Sequence, residues 1–146
     1  MKTIHFQVAD KGIFLPAKTP LRKVIHEIFR REGKQLEELT IVFCSDEYLL
    51  ELNQQFLKHD YYTDILTFTM SERGAPVVGE LYISIDRVRD NARLLEVSVL
   101  QELRRVIFHG TLHLCGYKDK LKKDLAIIRE KEDRYLLLLK KRINHA

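Results

Sequence analysis

The chain has 146 residues, a length that favours one domain whose single core needs no disulfide bonds. Its composition is 45% hydrophobic and 32% charged, without a tract rich in Pro, Gly or Ser, which is typical of globular proteins and excludes disorder. Lys and Arg exceed Asp and Glu by 25 to 21, so the net charge of +4 permits a nucleic-acid partner without requiring one.

The cysteine content and the apolar runs predict the compartment. Cys44 and Cys115 both lie in apolar segments, where a free cysteine behaves as a small hydrophobic residue in a reducing environment. Met1–Phe14 lacks the apolar stretch of a signal peptide, and the longest aliphatic run, Leu136–Leu139, is far shorter than the roughly 20 residues that span a bilayer. We therefore expect a soluble, cytoplasmic protein without a membrane partner.

The N-terminal segment predicts a hairpin followed by a helix. Ile4–Val8 alternates in polarity, and we expect it to pair with Gly12–Leu15. A helix should then run from Thr19 or Pro20 to about Glu32. Its apolar residues recur at helical spacing: Leu21, Val24, Ile25, Ile28 and Phe29.

The middle of the chain alternates strand and helix patterns. Three runs predict strands: Leu39–Cys44, Ile65–Met70 and Glu80–Ile85. Ser45 or Asp46 should cap a helix between the first two runs. Ser71–Gly79 contains glycine and proline and predicts a turn or loop.

Three further helices are predicted in the C-terminal half. Asp86 is placed to cap a helix that reaches about Leu95, Ser98 opens the next helix, and Gly116 ends it. A final charged helix should cover about Lys122–Lys141. The whole pattern predicts an α+β (mixed α/β) fold over residues 1–146, with a small, mostly parallel sheet of about four strands covered by about five helices.

Two histidines on the predicted fourth helix form the candidate site. His109 and His113 are four residues apart, so their imidazoles project from one helix face and can bind one divalent metal. Beyond Gly116 the chain could turn back and bring the carboxylate of Asp119 to the same ion, which places the site at the end of a helix. Three protein ligands leave an open position for water, as in catalytic metal sites.

The residues alone leave alternatives open. A pair of histidines at this spacing also arises by chance, with one packed and one exposed. Gly110 stands where the metalloprotease motif H-E-x-x-H has glutamate, so a peptidase is disfavoured. Cys115 points about 160° away from His113 and is expected in the core.

Two other polar stretches have ordinary interpretations. Asp64 precedes a predicted strand, where a turn and a role in the cleft are equally good interpretations. Residues 130–134 (E-K-E-D-R) are interpreted as a solvated helix face.

The histidine segment resembles the signature of a known family. Its sequence H-G-T-L-H-L-C-G-Y-K-D is similar to H-G-x-L-H-L-x-G-Y-D-H of the YbeY family of bacterial metal-dependent endoribonucleases, the rRNA maturation factors. Leu52-Asn53, Asp60 and Thr63–Phe68 resemble the family's L-N-x-x-[YF]-R…D-x-P-T-D-V-L-S-F, and Gly79–Ser84 resembles its L-G-D-I-x-I strand. The resemblance spans roughly residues 36–135.

The resemblance implies an α/β fold, one zinc ion per chain and cleavage of single-stranded RNA. It also implies a role in maturation of the 16S rRNA 3′ end and in ribosome quality control, with the ribosome or its small subunit as partner. The metal ligands carry over to His109, His113 and Asp119, and the two histidines would be catalytic through the metal-bound water.

Departures from the family pattern at three positions bear on the expected chemistry. Asp119 replaces the third histidine and Lys118 the aspartate before it. A carboxylate can ligate zinc but makes the site harder, which widens the choice of divalent ion. Leu57 replaces an arginine implicated in catalysis or RNA contact, so Lys58, Lys118 and Lys120 are the candidate RNA-binding charges.

We predict a single-strand-specific, metal-dependent endoribonuclease. Because Leu57 and Asp119 both weaken the expected chemistry, the alternative is a non-catalytic ribosome-assembly factor in which the metal is structural.

Overall fold

The structure, a computed structural model, describes residues 3–59 and 62–145. Within these residues the chain forms four strands and five helices: β1 (Thr3–Val8), α1 (Lys18–Arg31), β2 (Leu36–Cys44), α2 (Asp46–Leu57), β3 (Ile65–Thr69), β4 (Val77–Ser84), α3 (Ile85–Leu95), α4 (Val99–Leu114) and α5 (Lys122–Asn144). Asp60, one residue of the family resemblance, lies outside the described part of the chain. The predicted α+β class, with about four strands and five helices, is confirmed.

The strands form one mixed sheet in the order β1-β2-β4-β3. β1 pairs with β2 and β2 with β4 in parallel, whereas β3 pairs with β4 antiparallel and lies at the edge. The sheet is therefore mostly parallel, as predicted. The predicted hairpin of Ile4–Val8 with Gly12–Leu15 is wrong, because β1 takes its hydrogen-bond partners from β2 and residues 12–15 lead into α1.

The two faces of the sheet are covered unequally. Side chains alternate along each strand, so neighbouring residues such as Ile65 and Leu66 point to opposite faces. Ile65 and Leu81 lie on the face against α4, within the main core that also includes α1 and α5. Leu66 packs with Leu49 of α2 on the other face, in a smaller cluster.

Serine side chains cap three of the helices. Ser45 and Ser98 accept hydrogen bonds from the backbone N–H groups of Tyr48 and Gln101, which confirms both predicted starts. The predicted cap at Asp86 is wrong: Ser84 Oγ caps α3, and Asp86 lies inside the helix. Its carboxylate accepts hydrogen bonds from the backbone of Asp46 and from Lys11 instead.

Two strands and the last helix are longer than predicted. β2 begins at Leu36, and β4 begins at Val77 inside the segment predicted as a loop, because these two residues pair with each other. α5 continues to Asn144. Cys44 and Cys115 are both buried free thiols, as predicted.

α4 packs directly on the edge of the sheet that carries β3. A Cβ on Gly110 would lie only 2.5 Å from Cδ1 of Ile65 and 2.9 Å from Cδ2 of Leu81, so glycine is what permits this close approach. The contact fixes α4 at the residue that directly follows His109. In the part of the chain that the structure describes, no helix combines the length and apolar character needed to cross a bilayer.

Candidate metal centre

His109, His113 and Asp119 converge at the C-terminal end of α4. The Nε2 atoms of the two imidazoles are 2.9 Å apart, and Oδ2 of Asp119 lies 3.1 Å from the first and 3.2 Å from the second. The turn that brings Asp119 back follows Gly116, whose φ of 105° ends the helix in the left-handed region. The structure thus brings together all three predicted metal ligands.

Hydrogen bonds at the Nδ1 atoms, which face away from the proposed metal position, fix the tautomers of both histidines. His113 Nδ1 lies 2.8 Å from the carbonyl oxygen of Tyr117, and His109 Nδ1 lies 2.5 Å from Oε2 of Glu132. Because a carbonyl and a carboxylate accept hydrogen bonds, each Nδ1 carries the donated proton. In the neutral imidazoles both Nε2 atoms then present lone pairs towards each other and towards Asp119.

Three mutually facing acceptors suit a bound cation. Ligands of a tetrahedral zinc ion at about 2.0–2.1 Å lie about 3.3 Å from each other. The separations of 2.9–3.2 Å among His109, His113 and Asp119 are close to this value. Metal-bound histidines also typically donate a hydrogen bond from the ring nitrogen that does not bind the metal to a carboxylate or a carbonyl, as Nδ1 does in both histidines here. The donor set therefore fits a divalent metal ion.

Glu132 is a buried member of the site that the sequence interpretation missed. The charged run of residues 130–134 predicts a solvated helix face, but the Glu132 side chain is 0% exposed and forms a hydrogen bond with His109. Glu132 lies on the same face of α5 as the buried residues Ile128, Tyr135 and Leu139, and the four are separated by three or four residues, as in an apolar stripe. That spacing was the available signal, which the surrounding charged residues obscured.

A buried ionic network holds the carboxylate oxygen of Glu132 that does not contact His109. Arg105 donates to Glu132 at 3.1 Å and to Glu102 at 2.8 and 2.6 Å, and both carboxylates are almost fully buried. The hydrogen bonds to Glu102, together with the two carboxylate charges, outweigh burial and raise the pKa of Arg105. The guanidinium lies 3.9 Å from Asp64, which places that residue at the site rather than in an isolated turn.

The electrostatics of the network favour a cation between the ligands. Three carboxyl groups (Glu102, Glu132 and Asp64) lie 2.6–3.9 Å from the single guanidinium of Arg105, and Asp119 adds a fourth carboxyl group beside the two histidines. Carboxyl groups therefore outnumber guanidinium groups at the site. Burial opposes the charged form of His109, but the hydrogen bond and charge of Glu132, followed by Asp119 and Asp64, raise its pKa. Burial is the largest influence on Asp64 and raises the pKa of its carboxyl group.

The predicted RNA-binding lysines lie in two places. Lys118 and Lys120 are exposed on either side of Asp119. Lys58 is the exposed C-cap of α2, which packs on the other face of the sheet from α4. It follows Leu57, the residue in place of the family arginine, whose side chain is 40% exposed. Cys115 is buried and stands outside the candidate ligand group, as expected.

The fold and the site define a mixed α/β protein with a two-histidine, one-carboxylate group suited to a metal ion at the edge of its sheet. The family model for endoribonuclease YbeY matches residues 7–140. The chain therefore belongs to the YbeY family.

Curated relatives and a solved structure support the assignment over nearly the whole chain. An endoribonuclease YbeY of Cytophaga hutchinsonii is 48% identical, with 95% of this chain and 97% of that protein covered. One of Porphyromonas gingivalis is 49% identical, with coverage of 98% and 94%. The solution structure of a Thermotoga maritima protein has a TM-score of 0.65 at 29% identity, with coverage of 98% and 93%.

Proposed function

We propose that this protein is a metal-dependent endoribonuclease that cleaves single-stranded RNA, with His109, His113 and Asp119 as the ligands of one ion. The observation that carries the proposal is the set of three acceptor atoms within 3.2 Å of each other in a member of the endoribonuclease YbeY family. Zn²⁺ is the ion we propose, and the carboxylate of Asp119 also suits harder divalent ions.

The metal would supply Lewis-acid stabilisation of the charge that develops on a phosphodiester during cleavage. The residues of the chain bind the metal ion and hold its ligands in position. His109 and His113 offer their Nε2 lone pairs, and Glu132 and the Tyr117 carbonyl hold the two rings in orientation by accepting from Nδ1. Such outer hydrogen bonds restrict both the tautomer and the rotation of each ring.

We propose that RNA approaches the site from the side of Asp119. The Asp119 side chain is 38% exposed, whereas those of His109 and His113 are 13% and 22% exposed, so the carboxylate marks the open side. Lys118 and Lys120 flank it and are proposed to contact phosphates as point charges. Lys58 is proposed as a more remote phosphate contact.

We extend the proposal to rRNA processing, with the 3′ end of 16S rRNA as substrate and the small ribosomal subunit as partner, in the cytoplasm and in ribosome quality control. The resemblance of the histidine segment to the rRNA maturation factors supports it. Accumulation of 16S rRNA with an unprocessed 3′ end in cells that lack the protein is the expected result.

We also propose that residues 1–146 form one domain, because α5 packs against both α1 and α4.

The direct test is cleavage of a labelled single-stranded RNA oligonucleotide, with the same oligonucleotide annealed to its complement as the second substrate. We expect the wild type with added Zn²⁺ or Mn²⁺ to cleave the single strand and spare the duplex. His109→Ala and His113→Ala should lose cleavage. His5→Ala, which removes a half-exposed histidine of β1, is the matched control and should retain it.

The same assay separates an enzyme from a ribosome-assembly factor with a structural metal. Absence of cleavage by the wild type at every metal concentration would contradict the proposal and favour the assembly factor. Full cleavage by His113→Ala in a metal-free preparation would contradict the assigned ligands.

A further inference from the structure

A second cluster of polar side chains surrounds Glu32, the C-cap residue of α1. Its carboxylate accepts hydrogen bonds from the hydroxyl of Tyr117 at 2.6 Å, the hydroxyl of Tyr135 at 3.1 Å and the ammonium of Lys131 at 3.3 Å. The Glu32 side chain is only 11% exposed. We name these four residues the Glu32 cluster. It joins α1 and α5 to the segment that follows α4.

Tyr117 connects this cluster to the metal ligands. Its carbonyl oxygen accepts the hydrogen bond from His113 Nδ1 at 2.8 Å, and its backbone N–H donates to the carbonyl of Leu112 at 3.0 Å. Asp119 follows two residues later. The position of the Tyr117 main chain therefore determines both the orientation of His113 and the start of the short connection to Asp119.

Tyr117 is also the anchor of an otherwise exposed segment. Among residues 116–121, all of which the structure describes, it is the one residue that is not exposed, and it packs against the main core. Its ring lies 5.7 Å from the ammonium of Lys131, which adds a cation–π contact to the hydrogen bonds. The side chain of Tyr117 thus fixes the segment through the Glu32 cluster.

We propose that Glu32 is a positioning residue for the metal centre: by binding the Tyr117 hydroxyl, it holds the main chain that orients His113 and delivers Asp119. The inference rests on the proposed function, since it concerns the same three ligands. Glu32 precedes the histidine signature by more than 70 residues, and its side-chain hydrogen bonds are with Tyr117, Lys131 and Tyr135 rather than with a proposed ligand.

The charge of Glu32 strengthens this role. Burial works against the ionised carboxylate, but the hydrogen bonds from Tyr117, Lys131 and Tyr135 outweigh it and lower the pKa of Glu32. The side chain is therefore a carboxylate at neutral pH, and hydrogen bonds to a charged acceptor are shorter and stronger than neutral ones.

The test is the dissociation constant for Zn²⁺, measured by competition with a chromophoric chelator. We expect Glu32→Ala to bind Zn²⁺ about tenfold more weakly than the wild type, at the lower end of the effect of residues that orient metal ligands. Tyr117→Phe, which removes one hydroxyl and keeps the ring, should weaken binding about threefold. The absorption spectrum of bound Co²⁺ should change in Glu32→Ala, because the ligand geometry changes.

Matched controls lie on the opposite face of the sheet, where the Tyr82 hydroxyl donates to Glu80 at 3.1 Å. Glu80→Ala and Tyr82→Phe remove the same kind of hydrogen bond and should bind Zn²⁺ within twofold of the wild type. If Glu32→Ala does not fold, Tyr117→Phe alone decides the question.

Two outcomes would overturn the inference in distinguishable ways. Wild-type protein that binds no Zn²⁺ would overturn the proposed function and this inference together. Wild-type binding with an unchanged dissociation constant in the folded Glu32→Ala and Tyr117→Phe variants would overturn the positioning role alone.

Discussion

Replacing Glu132 by glutamine tests whether the buried carboxylate behind His109 orients this ligand. The substitution keeps the volume of a fully buried side chain but exchanges one acceptor oxygen for an NH₂ group. Glu132 accepts from His109 Nδ1 at 2.5 Å and from Arg105 at 3.1 Å. A glutamine oxygen can serve one of these donors, and its NH₂ group then faces the other.

The structure indicates which of the two donors, Arg105 or His109, is affected more by the substitution. Arg105 retains two hydrogen bonds to Glu102, at 2.8 and 2.6 Å, whereas His109 Nδ1 has no second carboxylate within hydrogen-bond distance among the described contacts. An unsatisfied buried polar group costs about 1–3 kcal/mol, which we expect as the loss in free energy of unfolding. Loss of an outer hydrogen bond to a metal-bound histidine weakens metal affinity by about 10–100-fold.

Two measurements check these expectations: Zn²⁺ affinity by chelator competition, and urea unfolding of the metal-free protein. Glu130→Gln is the matched control, because Glu130 lies on the same helix with a 72% exposed side chain paired to Arg134. We expect the control to change neither quantity. A Glu132→Gln variant with Zn²⁺ affinity within twofold of the wild type would refute the orienting role.

Three further predictions follow from the site and its supports. Asp119→His should raise the affinity for Zn²⁺ relative to Mn²⁺, because imidazole is the softer ligand; an unchanged ratio in parallel titrations would contradict the ligand role of Asp119. Gly110→Val should lower the free energy of urea unfolding by about 2–3 kcal/mol, since even a Cβ would lie 2.5 Å from Ile65, and wild-type stability would show that α4 can move from the sheet. The pKa of Glu32 is lowered below its ordinary value of 4.5, so its contribution to stability is present above pH 4.5 and lost as the pH falls through the folded-state pKa. The difference in unfolding free energy between wild type and Glu32→Gln should therefore shrink below pH 4.5, and a difference that grows in acid would contradict this sign.

The parts of the fold predicted best are those with dense local patterns. The helical spacing from Leu21 to Phe29 and the serine caps at Ser45 and Ser98 each act within one or two turns, and the structure has these features where they were expected. The hairpin at Ile4–Val8 failed because the partner of this strand lies about 35 residues away in β2, and a non-local pairing leaves no trace in a short window.

The site was predictable only where its residues are close in sequence. His109, His113 and Asp119 lie within eleven positions, and the Gly116 turn between them could be read from the sequence. Glu132 and Glu32 come from α5 and from the end of α1. The sequence around Glu132 and Glu32 does not predict that they lie near the histidines, because it is the packing of α1 and α5 against α4 that brings them to the site.

The most direct test of the metal centre is the metal content of the purified protein after dialysis against Zn²⁺. We predict one ion per chain in the wild type and none in the His109→Ala/His113→Ala double variant, because the facing acceptors of His109, His113 and Asp119 need a cation between them. Wild-type protein without bound metal, or a double variant that retains one ion per chain, would contradict this account.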